Sequence, residues 1–333
     1  MKRIILYLFI FAGLVSCNNF KTDFDDYLYT SGFFPYQYPI RTLVLGDYIY
    51  DNENDNAHKF LASVAIGGVY ENTKDREFQI QLDESLCDNL TFTAGGKAVL
   101  PMPSTYYSLS STNKILIPKG KMNGGVTVQL TDAFFNDPLA ISTTYVIPLK
   151  LVGSTDVDTI LSGYSLYPSP DLTDAALWSI VPKNYTLFAV KYVNEFHGNY
   201  FQYGKYKVNG GTETTYSAKY VEQNSVVKLT TTGRYQVSLR VSLRATGVMT
   251  GNLDMLLNFS GDNCTITAPA GSAYTITGTG QFKTKEYNWG NKDRDGIVLN
   301  YTVTNGANTY EASDVLVSRD RAIVMETYSP VYN

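Results

Sequence analysis

The sequence predicts an all-β chain of two modules, a β-sandwich followed by an antiparallel meander. Three observations predict it. Apolar and polar residues alternate with a period of two in segment after segment. Turns rich in Gly, Pro and Asn separate these segments at short intervals. Tyr and Phe are abundant, at 27 and 16 residues, which suits strands with one buried and one wetted face. The 333 residues are enough for two domains of ordinary size.

The chain begins with Lys2 and Arg3, then an apolar run from Ile4 that ends in Leu14-Val15-Ser16-Cys17. A charged head, a short apolar stretch and a small residue before the cysteine make a secretory leader, too short to span a bilayer. The pattern resembles a bacterial lipoprotein signal. That implies removal of residues 1–16 and acylation of Cys17. Residues 17–26 then read as a polar tether, and Asp23, Asp25 and Asp26 resemble the export signal of surface-exposed lipoproteins in Bacteroidota. The expected location is the outer membrane, facing outward, held to lipid through Cys17.

Strands follow from Tyr27 onward. Phe78-Gln79-Ile80-Gln81-Leu82 and Val126-Thr127-Val128-Gln129-Leu130 alternate strictly. Tyr145, Ile147, Leu149 and Leu151 share one phase, with Pro148 and Lys150 on the other. Pro148 cannot donate to a ladder, so its strand is expected at a sheet edge. Asp83-Glu84-Ser85, Gly95-Gly96, Pro118-Lys119-Gly120 and Asn123-Gly124-Gly125 mark turns. These features indicate an immunoglobulin-like sandwich from Tyr27 onward, which composition alone would end near Pro182. Residues 163–184, with Pro168, Pro170 and Pro182, are irregular. Within them Asp171 to Trp178 is the one segment expected to be helical, with an acidic N-cap. Beyond it Val237, Leu239, Val241 and Leu243 alternate with Ser238, Arg240, Ser242 and Arg244, and Ile297, Leu299, Tyr301 and Val303 repeat the pattern. Eight to ten strands fit between His197 and Tyr328. They predict a meander barrel or sandwich, lipocalin-like.

Composition narrows the function. Net charge is −4 and no basic patch stands out, which argues against nucleic acid. If Cys17 carries lipid, Cys87 and Cys264 remain, and a buried free thiol in each domain is the expectation. There is no CxxC pair, and His58 and His197 are the only histidines, so a zinc ribbon or a His-based triad has little to build on. Sequons at Asn89, Asn184, Asn258, Asn263 and Asn300 read as turn and strand-surface residues.

The first half resembles a known domain. Leu82-Asp83-Glu84-Ser85-Leu86, Leu100-Pro101, Tyr106-Tyr107-Ser108-Leu109, Ile115-Leu116-Ile117-Pro118-Lys119-Gly120 and Tyr145-Val146-Ile147-Pro148-Leu149 carry the likeness. They resemble the N-terminal β-sandwich of unknown function found in many Bacteroidota surface lipoproteins. The second half, through Tyr192 to Tyr200 and Asp293 to Tyr301, is similar to one of its partner β-domains, also without assigned function. The resemblance implies that Tyr185 to Asn194 closes the first domain as its last strand, which puts the sandwich at residues 27–194 and the second domain at residues 195–333. It also implies a setting in polysaccharide-utilisation loci, among other surface lipoproteins. It carries no catalytic residues over.

Several residues are candidates for chemistry. Asn291-Lys292-Asp293-Arg294-Asp295-Gly296 matches the start of a calcium loop, with Asn291, Asp293 and Asp295 as oxygen donors, but position 12 is Thr302 rather than Glu. A polar hairpin turn is the competing reading. Asp51 to Asn56 is a second oxygen-rich loop. Trp289 and Tyr287, flanked by Asn288, Asn291 and Arg294, are candidates to stack on and bond a sugar. Trp178, with Tyr164 and Tyr167, is another. Tyr36, Tyr38, Tyr48 and Tyr50 read as strand packing. Glu195 and Asp254 lie near strands with nothing to mark them as catalytic. No G-x-S-x-G, HExxH or P-loop occurs. The sequence therefore leads to a non-catalytic surface lipoprotein that binds polysaccharide or oligosaccharide, with no cofactor. A structural or adhesive protein with a protein partner is the alternative, and an unrecognised glycoside hydrolase a third.

Overall fold

A computed structural model describes residues 26–333. The signal segment 1–16, Cys17 and the tether up to residue 25 lie outside the described residues. The first domain is a sandwich of two sheets. One runs in the order Thr159–Ile160, Ser31–Phe33, Lys59–Gly67, Asn123–Leu130 and Tyr107–Leu109. The other runs Glu326–Thr327, Pro39–Val44, Tyr185–Val193, Tyr145–Gly153, Arg76–Leu82 and Lys114–Ile117, with Leu100–Pro101 beside Tyr145–Gly153. Phe60, Val64, Phe78, Ile115, Val126, Val128, Ile147 and Leu149 fill the space between them. These are the apolar phases of the alternating segments, so the period-two pattern is the direct cause of the core.

The second sheet is covered on its outer face as well. Val146, Tyr185, Leu187 and Ala189 pack there against Leu86, Leu90 and Val99, with Tyr328 and Tyr332 from the chain's end. This corrects two expectations. Tyr145–Gly153 is buried on both faces through its first half. It is also a central strand, paired with Tyr185–Val193 on one side and with Leu100–Pro101 and Arg76–Leu82 on the other. Pro148 is tolerated because its carbonyl faces the second side, accepting from the Asp83 N–H at 3.1 Å. Its nitrogen points the same way, into the gap where one neighbour strand ends and the next begins.

The second domain is a closed barrel. Gly198–Val208, Ser225–Gly233, Gln236–Ala245, Met249–Ser260, Asn263–Thr267, Thr275–Trp289, Lys292–Asn305 and Asn308–Asp320 follow one another by antiparallel pairing. The last pairs with the first, from Asn199↔Asp320 to Val208↔Tyr310. Thr214–Tyr216 adds a short strand at the edge of Gly198–Val208. Side chains fill the lumen, among them Leu229, Leu239, Met255, Leu299, Val303, Tyr310 and Leu316. Phe196 stacks on Phe259 with ring centroids 3.5 Å apart at the end where the chain enters. The lumen holds one buried carboxylate, Asp314, which accepts from Gln202 Nε2 at 2.7 Å, from the Tyr301 hydroxyl at 3.0 Å and from the Tyr216 hydroxyl. Burial pushes its pKa up, and the three donors oppose that shift. The two strands approach closely at Tyr301 because the residue opposite is Gly278. A Cβ there would lie 2.6 Å from that of Tyr301.

The helix expected from Asp171 to Trp178 is reduced to a 3₁₀ turn, Ala175–Leu177, capped by Asp174, whose Oδ1 accepts from Ala176 N at 3.0 Å. Tyr164 and Ile180 pair across the segment and close it on itself, and the Trp178 indole N–H takes the Asp171 carbonyl that a helix would have used. Short helices at Glu53–Asn56 and Asp132–Asn136 are absent from the sequence reading, being too short to display a 3.6-residue period. The expected second domain also extended to residue 333. The tail instead leaves the barrel after Arg321 and returns to the sandwich. Glu326–Thr327 pairs with Pro39–Ile40, and Val331–Tyr332 with Leu90–Thr91. Cys87 and Cys264 are free and buried, one per domain.

Candidate functional site

The chain crosses from sandwich to barrel at Asn194, and polar side chains fix that crossing. The Asn194 amide donates to the Gly233 and Gln236 carbonyls, at 3.0 Å each, and its Oδ1 accepts from Phe196 N. Arg321, buried at the barrel's exit, donates to three carbonyls: His197 at 2.8 Å, Asp47 at 2.7 Å and Asn194 at 2.6 Å. One guanidinium thus joins sandwich, linker and barrel. Lys285 adds an ion pair across the junction to Asp47.

A cleft of about 740 Å³ opens at this junction. The sandwich contributes Asp47, Tyr48, Ile49 and Tyr50. The barrel contributes Tyr200, Phe282, Lys285, Lys292, Asp293, Arg294 and Asp295, and the linker contributes Glu195. The exit segment from Ser318 to Val324 lines the remainder. Tyr48 and Tyr50 meet edge to face at 5.3 Å, and Tyr50 is 67% exposed. A second groove, of about 820 Å³, shares Tyr48, Tyr50, Ile323 and Val324 and continues over Tyr36, Leu61 and Met325. The Tyr48–Tyr50 loop and the start of the tail therefore form a ridge between two concavities.

Burial raises the pKa of the Glu195 carboxyl, as does the negative charge of Asp262, against the pull of Arg321. Lys285 is raised, chiefly through its hydrogen bond to Asp47. His197 is 7% exposed, and its Nδ1 accepts from Thr231 N at 3.1 Å. Burial brings its pKa down to about 4, with Lys228, Arg321 and Lys191 acting in the same direction. The unfolded chain takes up a proton near pH 6.5 that the folded chain refuses until about pH 4. Stability is therefore expected to fall as pH drops through that window, by up to about 3 kcal/mol from this group. Glu195 contributes with the opposite sign, so a variant is needed to isolate the effect. Urea midpoints at pH 7 and 4.5 should move less in His197→Gln than in the unaltered chain. Equal movement would mean that His197 is not held neutral.

The structure divides the sequence-predicted site. Arg294, Asp293 and Asp295 line the cleft. Trp289 and Tyr287 stand on the adjoining barrel wall with their rings engaged. Trp289 donates its indole N–H to Ser318 O at 2.9 Å, meets Phe201 edge-on at 5.1 Å and lies under the Arg294 guanidinium at 4.3 Å. The Tyr287 ring covers Gly296, where a Cβ would come within 2.4 Å of it. Asn288 donates to Asp293 at 3.1 Å. Asn291 sits in a two-residue turn with Gly290. Both have positive φ, and Trp289 and Lys292 pair on either side. That is a type I′ hairpin, the competing reading of the calcium-like pattern. Asp295 accepts from Lys285 N at 2.9 Å. Trp178 lies in the sandwich's irregular segment, with its indole N–H on Asp171 O at 2.7 Å. In the Asp51–Asn56 loop, Asp55 is buried on Arg41 and Val44 N. Asp254 is paired with Arg240 on the barrel's outer surface. Sequence reasoning missed Lys285, Arg319 and Arg321, and it assigned Tyr48 and Tyr50 to packing. Nothing local marks Lys285 and Arg321, because their partners come from other parts of the chain; Arg319 pairs with its neighbour Asp320 and is placed by the ring of Phe201.

Fold and cleft together define a two-domain, all-β protein with a groove at its domain junction. A protein of unknown function from Bacteroides ovatus, solved by crystallography, is similar at 35% identity with a TM-score of 0.85, covering 93% of this chain and 100% of that one. The chain belongs to the same family as that protein. Its barrel, residues 195–322, matches the model of a domain of unknown function, DUF5627. Residues 24–158 match the model of an N-terminal domain family. A multidomain B. ovatus protein including DUF1735 is 11% identical with a TM-score of 0.39, covering 86% of this chain and 94% of that one. A further B. ovatus protein of unknown function is 14% identical with a TM-score of 0.40, covering 90% and 99%. No curated protein matches the chain.

Proposed function

We propose that the protein is a non-catalytic surface lipoprotein that binds glycans in the junction cleft, within a polysaccharide-utilisation system. The observation that carries the reading is the pair Tyr48 and Tyr50 beside a cleft dense in Arg, Lys, Asp and Glu side chains. An exposed flat ring offers its face to the C–H face of a pyranose, and the neighbouring charged groups bond its hydroxyls. The leader ending at Cys17 and the Bacteroides relative support placement in the outer membrane. Acyl labelling lost in Cys17→Ala, and protease shaving of intact cells, test that placement.

Calorimetry of the purified chain across host, plant and microbial oligosaccharides tests the binding. One class is expected to bind, and Tyr50→Ala to weaken it about tenfold, equivalent to about 1.4 kcal/mol. Silence across the panel would remove the proposal. The exposed Tyr36, Leu61, Val324 and Met325 of the second groove favour a second reading, in which the ridge docks a protein partner. Capture of a neighbouring lipoprotein lost on Met325→Asp would favour it.

A further inference from the structure

Resting on the glycan reading above, we propose that the ligand of the cleft carries an anionic group, a carboxylate or a sulfate on a sugar ring, received by Arg294. The argument begins with how this arginine is held. Its guanidinium lies 4.3 Å over the Trp289 ring, and Trp289 is itself pinned to Ser318 O and Phe201. The fork is preorganised on the lip of a cleft. Yet its Nε is buried without a hydrogen-bond partner, and among the described residues no carboxylate is within ion-pair distance.

The other charges of the cleft are largely committed. Asp47 pairs with Lys285, and Asp295 receives the Lys285 N–H. Asp293 accepts from Asn288, and Asp320 from Asn199 and from Ala322 N. Arg319 sits beside Asp320 and over Phe201, and Arg321 is spent on three carbonyls. Among the described residues, the exposed Glu195 and Asp293, which is bonded only to the neutral Asn288 amide, are the acidic groups lining the cleft without a cationic partner. Arg294 and the exposed Lys292 are the uncommitted cations. Arg294 also repels Lys285 beside it. A planar, unpaired guanidinium next to a like charge is the arrangement that a two-oxygen anion relieves, through paired charge-assisted hydrogen bonds. A neutral hydroxyl would fill one donor and leave the repulsion.

The test titrates the full chain with tetragalacturonate and its carboxyl-reduced counterpart, and with a sulfated galactan tetrasaccharide and its desulfated form, so that each pair has one charged and one neutral member. The two pairs separate carboxylate from sulfate. At least a tenfold preference for the anionic member of one pair is expected, weakening with salt. Arg294→Gln should abolish the preference, and Arg294→Lys should keep only part of it. Thermal melting of each variant establishes that it folds, and the comparison within each pair on the unaltered chain stands without any variant. Equal binding of charged and neutral members, unchanged by Arg294→Gln, would overturn the anion inference and leave glycan binding intact. Absence of binding by these and by the broader panel would overturn both.

Discussion

Arg321→Ala is expected to destabilise the protein by about 3–5 kcal/mol and to loosen the two domains from one another. The guanidinium makes three charge-assisted bonds in a buried place. Hydrogen bonds to a charged group contribute about 1.5–3 kcal/mol each. Water entering the gap recovers part of that, which sets the lower end of the range. Arg321→Lys should fall between, because a single ammonium cannot reach three carbonyls set in different directions. Small-angle scattering and chemical denaturation measure the two consequences. If Arg321→Ala melts within 1 °C of the unaltered chain with the same scattering curve, the clamp does not hold the junction.

The second large effect concerns the tail. Tyr328 lies against Tyr38 and Phe92, with ring centroids at 5.5 and 5.0 Å, and its hydroxyl donates to Leu187 O at 2.9 Å. Glu326 pairs with the mostly buried Lys191. Deleting residues 323–333 would uncover the face formed by Leu86, Leu90, Val99 and Leu187. A loss of about 3 kcal/mol or more is expected, since removing one large aromatic from such a cluster costs about 3–5 kcal/mol when fully buried. Tyr328→Ala should reproduce much of it. Hydrogen exchange gives the location. Amides of Ile40–Val44 and Leu90–Thr91 should lose protection while the barrel strands keep theirs. Uniform loss across both domains, or none, would refute the tail as a strap on the sandwich. Both grooves border this tail through Ile323 and Val324, so the deletion should also weaken any ligand seated there.

Both perturbations fall on contacts that the sequence left illegible, in contrast to the strands themselves. Val237 to Arg244 and Ile297 to Thr304 were readable as strands because a strand's alternation is local. The observed strands Gln236–Ala245 and Lys292–Asn305 contain them. An antiparallel meander, barrel or sandwich, was readable from strand count and hairpin spacing, and its closure into a barrel was decided by the pairing of the last strand with the first. The edge position assigned to Pro148 failed, because a ladder gap depends on where neighbouring strands stop. The helix at Asp171 failed because Tyr164 and Ile180 close the segment from outside it.

The candidate site followed the same division. Arg294 and its acidic neighbours could be singled out as a polar cluster beside aromatics. Whether Trp289 offers its face to a ligand or spends it on Arg294 and Phe201 could not, since Phe201 and Ser318 arrive from distant strands. Tyr48 and Tyr50 carry the same alternation as packing residues, and only the meeting of two domains leaves them on an open cleft.

By itself the sequence determined the all-β character, the barrel's alternating faces and two buried thiols, because each follows from residue type and a period of two. Tertiary structure alone decided the cleft, the Arg321 clamp and the returning tail. Each joins groups more than a hundred residues apart, and no local period encodes which distant carbonyl or ring will be the partner.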